Sequence, residues 1–146
     1  MKKLSKFGER LRELLQEKNI TPPVLAKAIN VQRSMINAYC RGANAPSYDN
    51  IVSLVKYFDC SADFLLGLTD LPPLEKLFPV LPFGERFREV LGICGSSQYR
   101  IEKELNLSGS VVYYWLNGIH KPNAARLIDV AENLDCSVDF LLGRRR

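Results

Sequence analysis

The chain is one domain written twice. Sliding the 146-residue sequence over itself by about 76 positions lays FGERLREL at 7–14 on FGERFREV at 83–90, and DCSADFLLG at 59–67 on DCSVDFLLG at 135–143. No gap is needed between these ends, and about a third of the aligned positions are identical. Such self-similarity fixes an architecture before any residue is interpreted, because each copy must be one structural unit. At about 60 residues, a copy is near the lower size limit for an independent hydrophobic core, so its packing has to be economical. The expected division is a first domain over 1–68, a connecting segment over 69–82, and a second domain over 83–146 that carries a basic tail.

Composition narrows the class. With 25% charged and 47% hydrophobic residues, the chain reads as an ordinary water-soluble protein. No apolar run approaches the roughly 18 residues of a membrane span. The leucines near the N-terminus are interrupted by Arg12 and Glu13, which a secretion signal would not tolerate. A cytoplasmic location with no membrane partner is expected. Of the four cysteines, Cys60 and Cys136 are repeat equivalents while Cys40 and Cys94 are not, and no Cys-x-x-Cys spacing occurs. A zinc site needs clustered thiolates or imidazoles, and His120 is the sole histidine. Cys60 and Cys136 are therefore read as buried, reduced and structural. No nucleophile, base and acid stand at a spacing that would make a catalytic set. The chain is read as no enzyme, with no cofactor and no metal.

Hydrophobic periodicity predicts helices throughout. Leu4, Phe7, Leu11, Leu14 and Leu15 share one helical face, as do Phe83, Phe87, Val90 and Leu91 in the second copy. Thr21 before Pro22, and Ser97 before Gln98, are capping residues that open a short second helix. Asn30-Val31 and Asn106-Leu107 make tight turns, since asparagine tolerates the left-handed conformation that ends a helix. A third helix is predicted over 33–41 and 109–117, stopped by Gly42 and Gly118. Ser47 and Asn123 cap a fourth helix, buried through Ile51, Leu54, Val55 and Phe58 or Leu127, Val130 and Leu134. Ser61 and Ser137 cap a short fifth, with Asp63 or Asp139 near its positive end. Trp115, like Tyr39, is expected in the core, and Met35 and Ile36 are expected to serve packing.

Five short helices with a tight turn between the second and third describe a helix-turn-helix domain. The segment LAKAINVQRSMINAYCRGANAPSYDNIVSLVKYFDCSADFLLG resembles the Cro-type phage-repressor family, also called the XRE family. The resemblance rests on Leu25-Ala26, Ile36, Tyr39, Gly42, Pro46 and the ending at 63–67. It returns in the second copy with Val112, Trp115, Gly118, Pro122 and the ending at 139–143. It implies an all-α fold of two tandem lambda-repressor-like five-helix domains, and double-stranded DNA as the partner.

The resemblance also implies which residues face DNA. In this family the second helix crosses the backbone and the third presents its first turns to base edges in the major groove. Carried over position by position, the first copy offers Gln32, Arg33, Ser34, Asn37 and Ala38. Arg33 suits a bidentate contact with guanine and Asn37 suits adenine; the bland alternative for Arg33 is a solvated surface charge. Lys27, Arg41 and Asn44 lie where phosphates would run. The family's glutamine at the start of the second helix is Pro22 in copy one and Gln98 in copy two. The second copy presents Ser108, Gly109, Ser110, Tyr113 and Tyr114, followed by Asn117, His120 and Lys121; none of the groove-facing five is basic.

Charge separates the copies. Residues 1–70 hold ten Lys/Arg against seven Asp/Glu, whereas 83–143 hold six against eight, before Arg144, Arg145 and Arg146. Phosphate neutralisation dominates non-specific affinity, so copy one is the stronger expected head. The arginine tail either contacts backbone phosphate or is a solvated terminus. The connecting segment mixes Leu71, Leu74, Leu77, Phe78, Val80 and Leu81 with Pro72, Pro73, Pro79 and Pro82. It is expected to be semi-rigid, with a short helix over 73–78, a reach of roughly 50 Å when extended, or a self-association surface. The leading expectation is a sequence-specific DNA-binding transcription regulator, a repressor, using two heads on adjacent half-sites. The alternative keeps DNA for the first copy and makes the second a protein-interaction or homodimerisation module, antitoxin-like in one version.

Overall fold

The structure, a computed structural model, describes residues 2–146, with side chains from Lys6 onward. Leu4 of the predicted apolar stripe lies outside the described side chains. Among the described residues there are ten helices and no strand. They run α1 (Lys2–Glu17), α2 (Pro22–Ala28), α3 (Arg33–Cys40), α4 (Tyr48–Phe58), α5 (Ala62–Leu65), α6 (Phe83–Ile93), α7 (Gln98–Glu104), α8 (Gly109–Leu116), α9 (Ala124–Leu134) and α10 (Val138–Leu141). The chain divides into two compact units, 1–74 and 75–146. Each holds five helices in the same order, as an all-α tandem fold requires.

In the first unit α1 and α2 pack on α3, and α5 packs on α1 and α4. The core is built from the predicted stripe: Phe7, Leu11, Leu25, Ile36, Tyr39, Ile51, Leu54 and Leu65 are all buried. Each such side chain contributes roughly 1.5–3 kcal/mol by leaving water. The second unit repeats this with α6 and α7 on α8, and its core holds Phe87, Val90, Ile101, Val112, Trp115, Leu127, Val130 and Leu141. An edge-to-face pair, Phe7 with Tyr39 at 5.7 Å and Phe87 with Trp115 at 6.2 Å, ties the first helix of each unit to its third.

The first helix lies unusually close to the third because a glycine faces it. A Cβ on Gly8 would sit 2.8 Å from the Cys40 carbonyl oxygen, and one on Gly84 would sit 2.7 Å from that of Leu116. Both obstacles are backbone, so neither can swing aside.

Caps fall where the sequence places them, with one exception. Ser47, Ser61, Ser97, Asn123 and Ser137 each accept a hydrogen bond from the amide three residues on. Thr21 flanks α2 but makes no such bond. Pro22 and Pro23 follow it, so the first two positions of α2 have no N–H that needs a cap, and the Val24 amide is left unbonded by the Thr21 hydroxyl.

Cys60 and Cys136 are half-buried rather than fully buried. They sit just past the left-handed residues Asp59 and Asp135 that end α4 and α9, and a helix exit leaves one side of the chain to solvent. No disulfide joins the cysteines of the described residues.

The connecting segment departs furthest from expectation. No helix forms over 73–78, because Pro79 steers Phe78 out of the helical region and Pro72-Pro73 breaks the approach. Instead this stretch lies along the end of the second unit, where Phe78 N–H donates to the Arg144 carbonyl at 2.8 Å and Leu81 N–H to that of Leu142 at 3.0 Å. At the other end, Asp70 pairs with Arg10 at 3.1 Å. Between these two attachments, Leu71 and Leu74 are exposed.

The arginine tail is folded back on its own unit, with Arg145 and Arg146 still exposed. Arg144 pairs with the buried Asp139 at 3.2 Å, Arg145 reaches Glu75 at 4.0 Å, and the Arg146 guanidinium lies 4.5 Å from the Phe78 ring centroid.

Candidate nucleic-acid interface

The turn that sets the angle between α2 and α3 is made by Asn30 at φ 59°, with Val31 N–H closing on the Ala26 carbonyl at 2.9 Å. Asn106 at φ 53° and Leu107 N–H on the Glu102 carbonyl at 2.8 Å repeat it in the second unit. Asparagine adopts this left-handed conformation at low cost, so one residue type encodes both turns.

α3 divides cleanly into two faces. Ile36 and Tyr39 are buried, and the Tyr39 hydroxyl accepts from Asn50 Nδ2 at 2.8 Å, which anchors the helix to α4. Arg33, Ser34, Asn37 and, one residue past the end, Arg41 are all exposed. At 3.6 residues per turn these four fall within an arc of about 100° on the opposite side. Gln32 flanks the helix start, exposed, with its side chain unbonded to the α3 amides. Lys27 on α2 and Asn44 beyond α3 are exposed as well.

Two residues of this helix differ from expectation. Ala38 is 7% exposed; its methyl is shielded where the chain turns back, Ala43 N–H bonding the Ala38 carbonyl at 2.9 Å. A side chain so covered offers no surface to a base. Met35, expected in packing, is instead exposed, since it lies about 100° around the helix from Ile36.

The far end of α3 is held by Arg12, whose guanidinium donates to the Cys40 carbonyl oxygen. This cation satisfies a helix-terminal acceptor that would otherwise lack a partner. Burial pushes the Cys40 thiol up from its ordinary value, and the Arg12 charge pulls partly against that. Cys40 therefore stays protonated, and chemically quiet, near neutral pH.

The second unit assembles the equivalent positions into a different surface. Ser108, Gly109, Ser110, Tyr113 and Asn117 are exposed, Tyr114 half-buried. The polar groups are largely turned on one another. Ser108 and Ser110 hydroxyls lie 3.1 Å apart, and Asn117 Nδ2 donates to the Tyr113 carbonyl at 2.8 Å. His120 meets the Tyr114 ring edge-on at 5.2 Å, and Lys121 is exposed beside it. Tyr99, Tyr113 and Ile119 are 65%, 51% and 55% exposed. Gln98 keeps the amide that copy one lacks, but Nε2 donates to Glu102 Oε1 at 2.8 Å and toward the Gly109 carbonyl at 3.5 Å.

Glu102 is the residue that residue-by-residue reading passed over. The signal was present, because the repeat alignment sets Glu102 against Ala26. Arg12 carries no such signal, because in the sequence it only interrupts an apolar run.

Two bundles in which a short helix, set by a left-handed turn, shows an exposed polar arc define a tandem helix-turn-helix protein. The Helix-turn-helix family matches it twice, over residues 11–65 and 88–141, and the chain belongs to that family, in its Cro-type, XRE-like branch. Over 66 residues it is 36% identical to the uncharacterized HTH-type transcriptional regulator YobD of Bacillus subtilis (strain 168), a match covering 45% of this chain and 59% of that protein. The chain thus spans less than two thirds of that relative's length. Among solved structures it is similar to the restriction-modification controller protein C.AhdI from Aeromonas hydrophila, 34% identical over 44% of this chain and 98% of that one, with a TM-score of 0.42. Among the described residues no helix is long and apolar enough to cross a membrane.

Proposed function

We propose that this chain is a sequence-specific DNA-binding transcription regulator, acting as a repressor by occupying its site. The observation that carries this reading is the exposed arc of Arg33, Ser34, Asn37 and Arg41 on a helix whose other face is locked into the core. A helix so mounted enters the major groove as a rigid probe. Arg33 is assigned to a guanine, Asn37 to an adenine, with Gln32 and Ser34 at the groove edge and Lys27, Arg41 and Asn44 toward phosphates. The heads are 1–68 and 83–146, joined through 69–82, and they engage neighbouring half-sites. Tethering raises the local concentration of the second head once the first is bound.

Selection of bound duplexes from a random pool, followed by gel shift, tests this directly. Arg33→Ala is expected to weaken binding to the selected site by about 5–150-fold, the equivalent of 1–3 kcal/mol, and to relax the base preference at one position. Affinity for the selected site no greater than for a random duplex would refute sequence-specific reading.

A second reading has its own support. The exposed Tyr99, Tyr113 and Ile119 and the lack of a cation on the outer face of α8 suit a protein partner or a second copy of the chain better than a polyanion. On that reading Tyr113→Ser with Ile119→Ser abolishes self-association in sedimentation equilibrium and leaves the first head's DNA affinity intact.

A further inference from the structure

The two copies differ at one position whose consequence is electrostatic. Where the second helix of the first unit carries the buried Ala26, that of the second unit carries Glu102. Its side chain does not swing away into solvent. Glu102 Oε1 accepts from Gln98 Nε2 at 2.8 Å, and it lies 3.3 Å from the point where a Cβ on Gly109, the first residue of α8, would stand. The carboxylate is thereby fixed at the junction of α7 and α8, the edge that helix-turn-helix docking brings against the sugar-phosphate backbone.

Nothing beside it cancels the charge. Its hydrogen-bond partner Gln98 is neutral. Arg100 is turned to the Gly95 carbonyl at 3.2 Å and to Glu104 at 4.0 Å, and Lys103 Nζ lies 3.3 Å from the Tyr99 hydroxyl. Gly109 also stands where copy one has Arg33, so the position that carries a cation in one unit is open and faces an anion in the other. Gln98, the one amide suited to a phosphate, is oriented by the same carboxylate that would repel it.

We infer that Glu102 is a specificity-determining residue that restrains the second head from gripping DNA, so that the chain engages a duplex unequally, α3 first and α8 weakly. This rests on the DNA-binding reading above. It makes the second head conditional, because it closes on DNA only when the first has raised its local concentration.

The test uses the full chain, a mixed-sequence duplex long enough for two half-sites, and a site selected by the wild-type protein. Glu102→Gln keeps the shape and removes the charge; Glu102→Ala restores the residue of copy one. Thermal melting establishes that both variants remain folded. Both are expected to bind the mixed duplex about tenfold more tightly at low salt, since a like charge held near a phosphate has been removed. The slope of log affinity against log salt should steepen by about 1–2, one or two more phosphates being neutralised. Hydroxyl-radical protection over the second half-site of the selected site, weak in the wild type, should deepen toward that over the first.

Unchanged affinity and slope in both variants would overturn the inference while leaving the regulator reading intact. So would weaker binding, which would make Glu102 a positioning residue for Gln98, and so would a wild-type footprint already covering two equally protected half-sites. Failure of the wild-type chain to bind any duplex would remove both readings together, and that outcome is visible before any variant is made.

Discussion

Arg10 and Arg86 hold equivalent places and do equivalent work. The Arg10 guanidinium lies 3.8 Å from the Phe64 ring centroid and donates to the Phe64 carbonyl at 2.9 Å. That of Arg86 lies 4.6 Å from Phe140 and donates to the Phe140 and Arg145 carbonyls, both at 2.9 Å. The Arg86 side chain is only 2% exposed. A buried guanidinium is tolerable because its fork satisfies several acceptors at once, which a lysine cannot do. Periodicity treats an arginine as a solvated charge, so this staple between first and fifth helix was not legible before the fold was known. Tyr48 allows a test at the same scale. Burial, with Asp49 adding to it, pushes its hydroxyl up from 10.0 to about 12. The folded chain therefore keeps a proton that the unfolded chain gives up above pH 10. That contribution is intact below pH 10 and is lost as pH rises toward 12, by at most about 1.4 kcal/mol per pH unit. Urea midpoints measured from pH 9 to 12 should fall less steeply in Tyr48→Phe than in the wild type. Equal slopes would mean that this hydroxyl titrates as it does in water.

The third helix of each unit is placed by a neighbour rather than by its own propensity. α3 and α8 have eight residues each, too few for a helix to stand alone in water. Their stability comes from burying Ile36 and Tyr39, or Val112 and Trp115, against the first helix of the unit. That contact depends on Gly8 and Gly84. A methyl at Gly8 would force α1 off the end of α3, where Arg12 also bonds Cys40. Gly8→Ala is expected to destabilise the first unit by about 1–3 kcal/mol and to cost DNA affinity through displacement of α3. Calorimetry and gel shift read the two effects separately. A fully stable Gly8→Ala protein would show that the approach is looser than the distances indicate. The positions of these helices were legible from capping residues, asparagine turns and the 3.6-residue period. Which of their residues face outward was less so: a following loop can cover a position such as Ala38, and an apolar residue such as Met35 can lie off the buried face.

At the scale of the whole molecule, duplication has produced two cores and one asymmetric surface. Each core is complete within its own half of the sequence, and the break falls at 74/75. Thermal unfolding is accordingly expected in two calorimetric transitions, with Gly8→Ala lowering only one of them. A single transition shifted as a whole by that substitution would show that the units unfold as one. The cores share one apolar pattern, while the outer faces differ, with Arg33 and Asn37 in one copy against Gly109 and Tyr113 in the other. Selection on packing constrains volume and polarity on one side of a helix and leaves the other side to function.

The sequence alone determined the number of domains, the helix order and the family, because repetition, apolar period and capping chemistry are local properties written residue by residue. The tertiary structure alone decided where charges end up once the chain has closed on itself. It took Arg10 and Arg86 indoors, folded the arginine tail onto Asp139, Glu75 and Phe78, laid the segment after Pro73 along the second unit, and set the Glu102 carboxylate at the foot of α8. Most of these are meetings between residues far apart in sequence, and the energies of all of them depend on distance and burial, which no one-dimensional pattern contains.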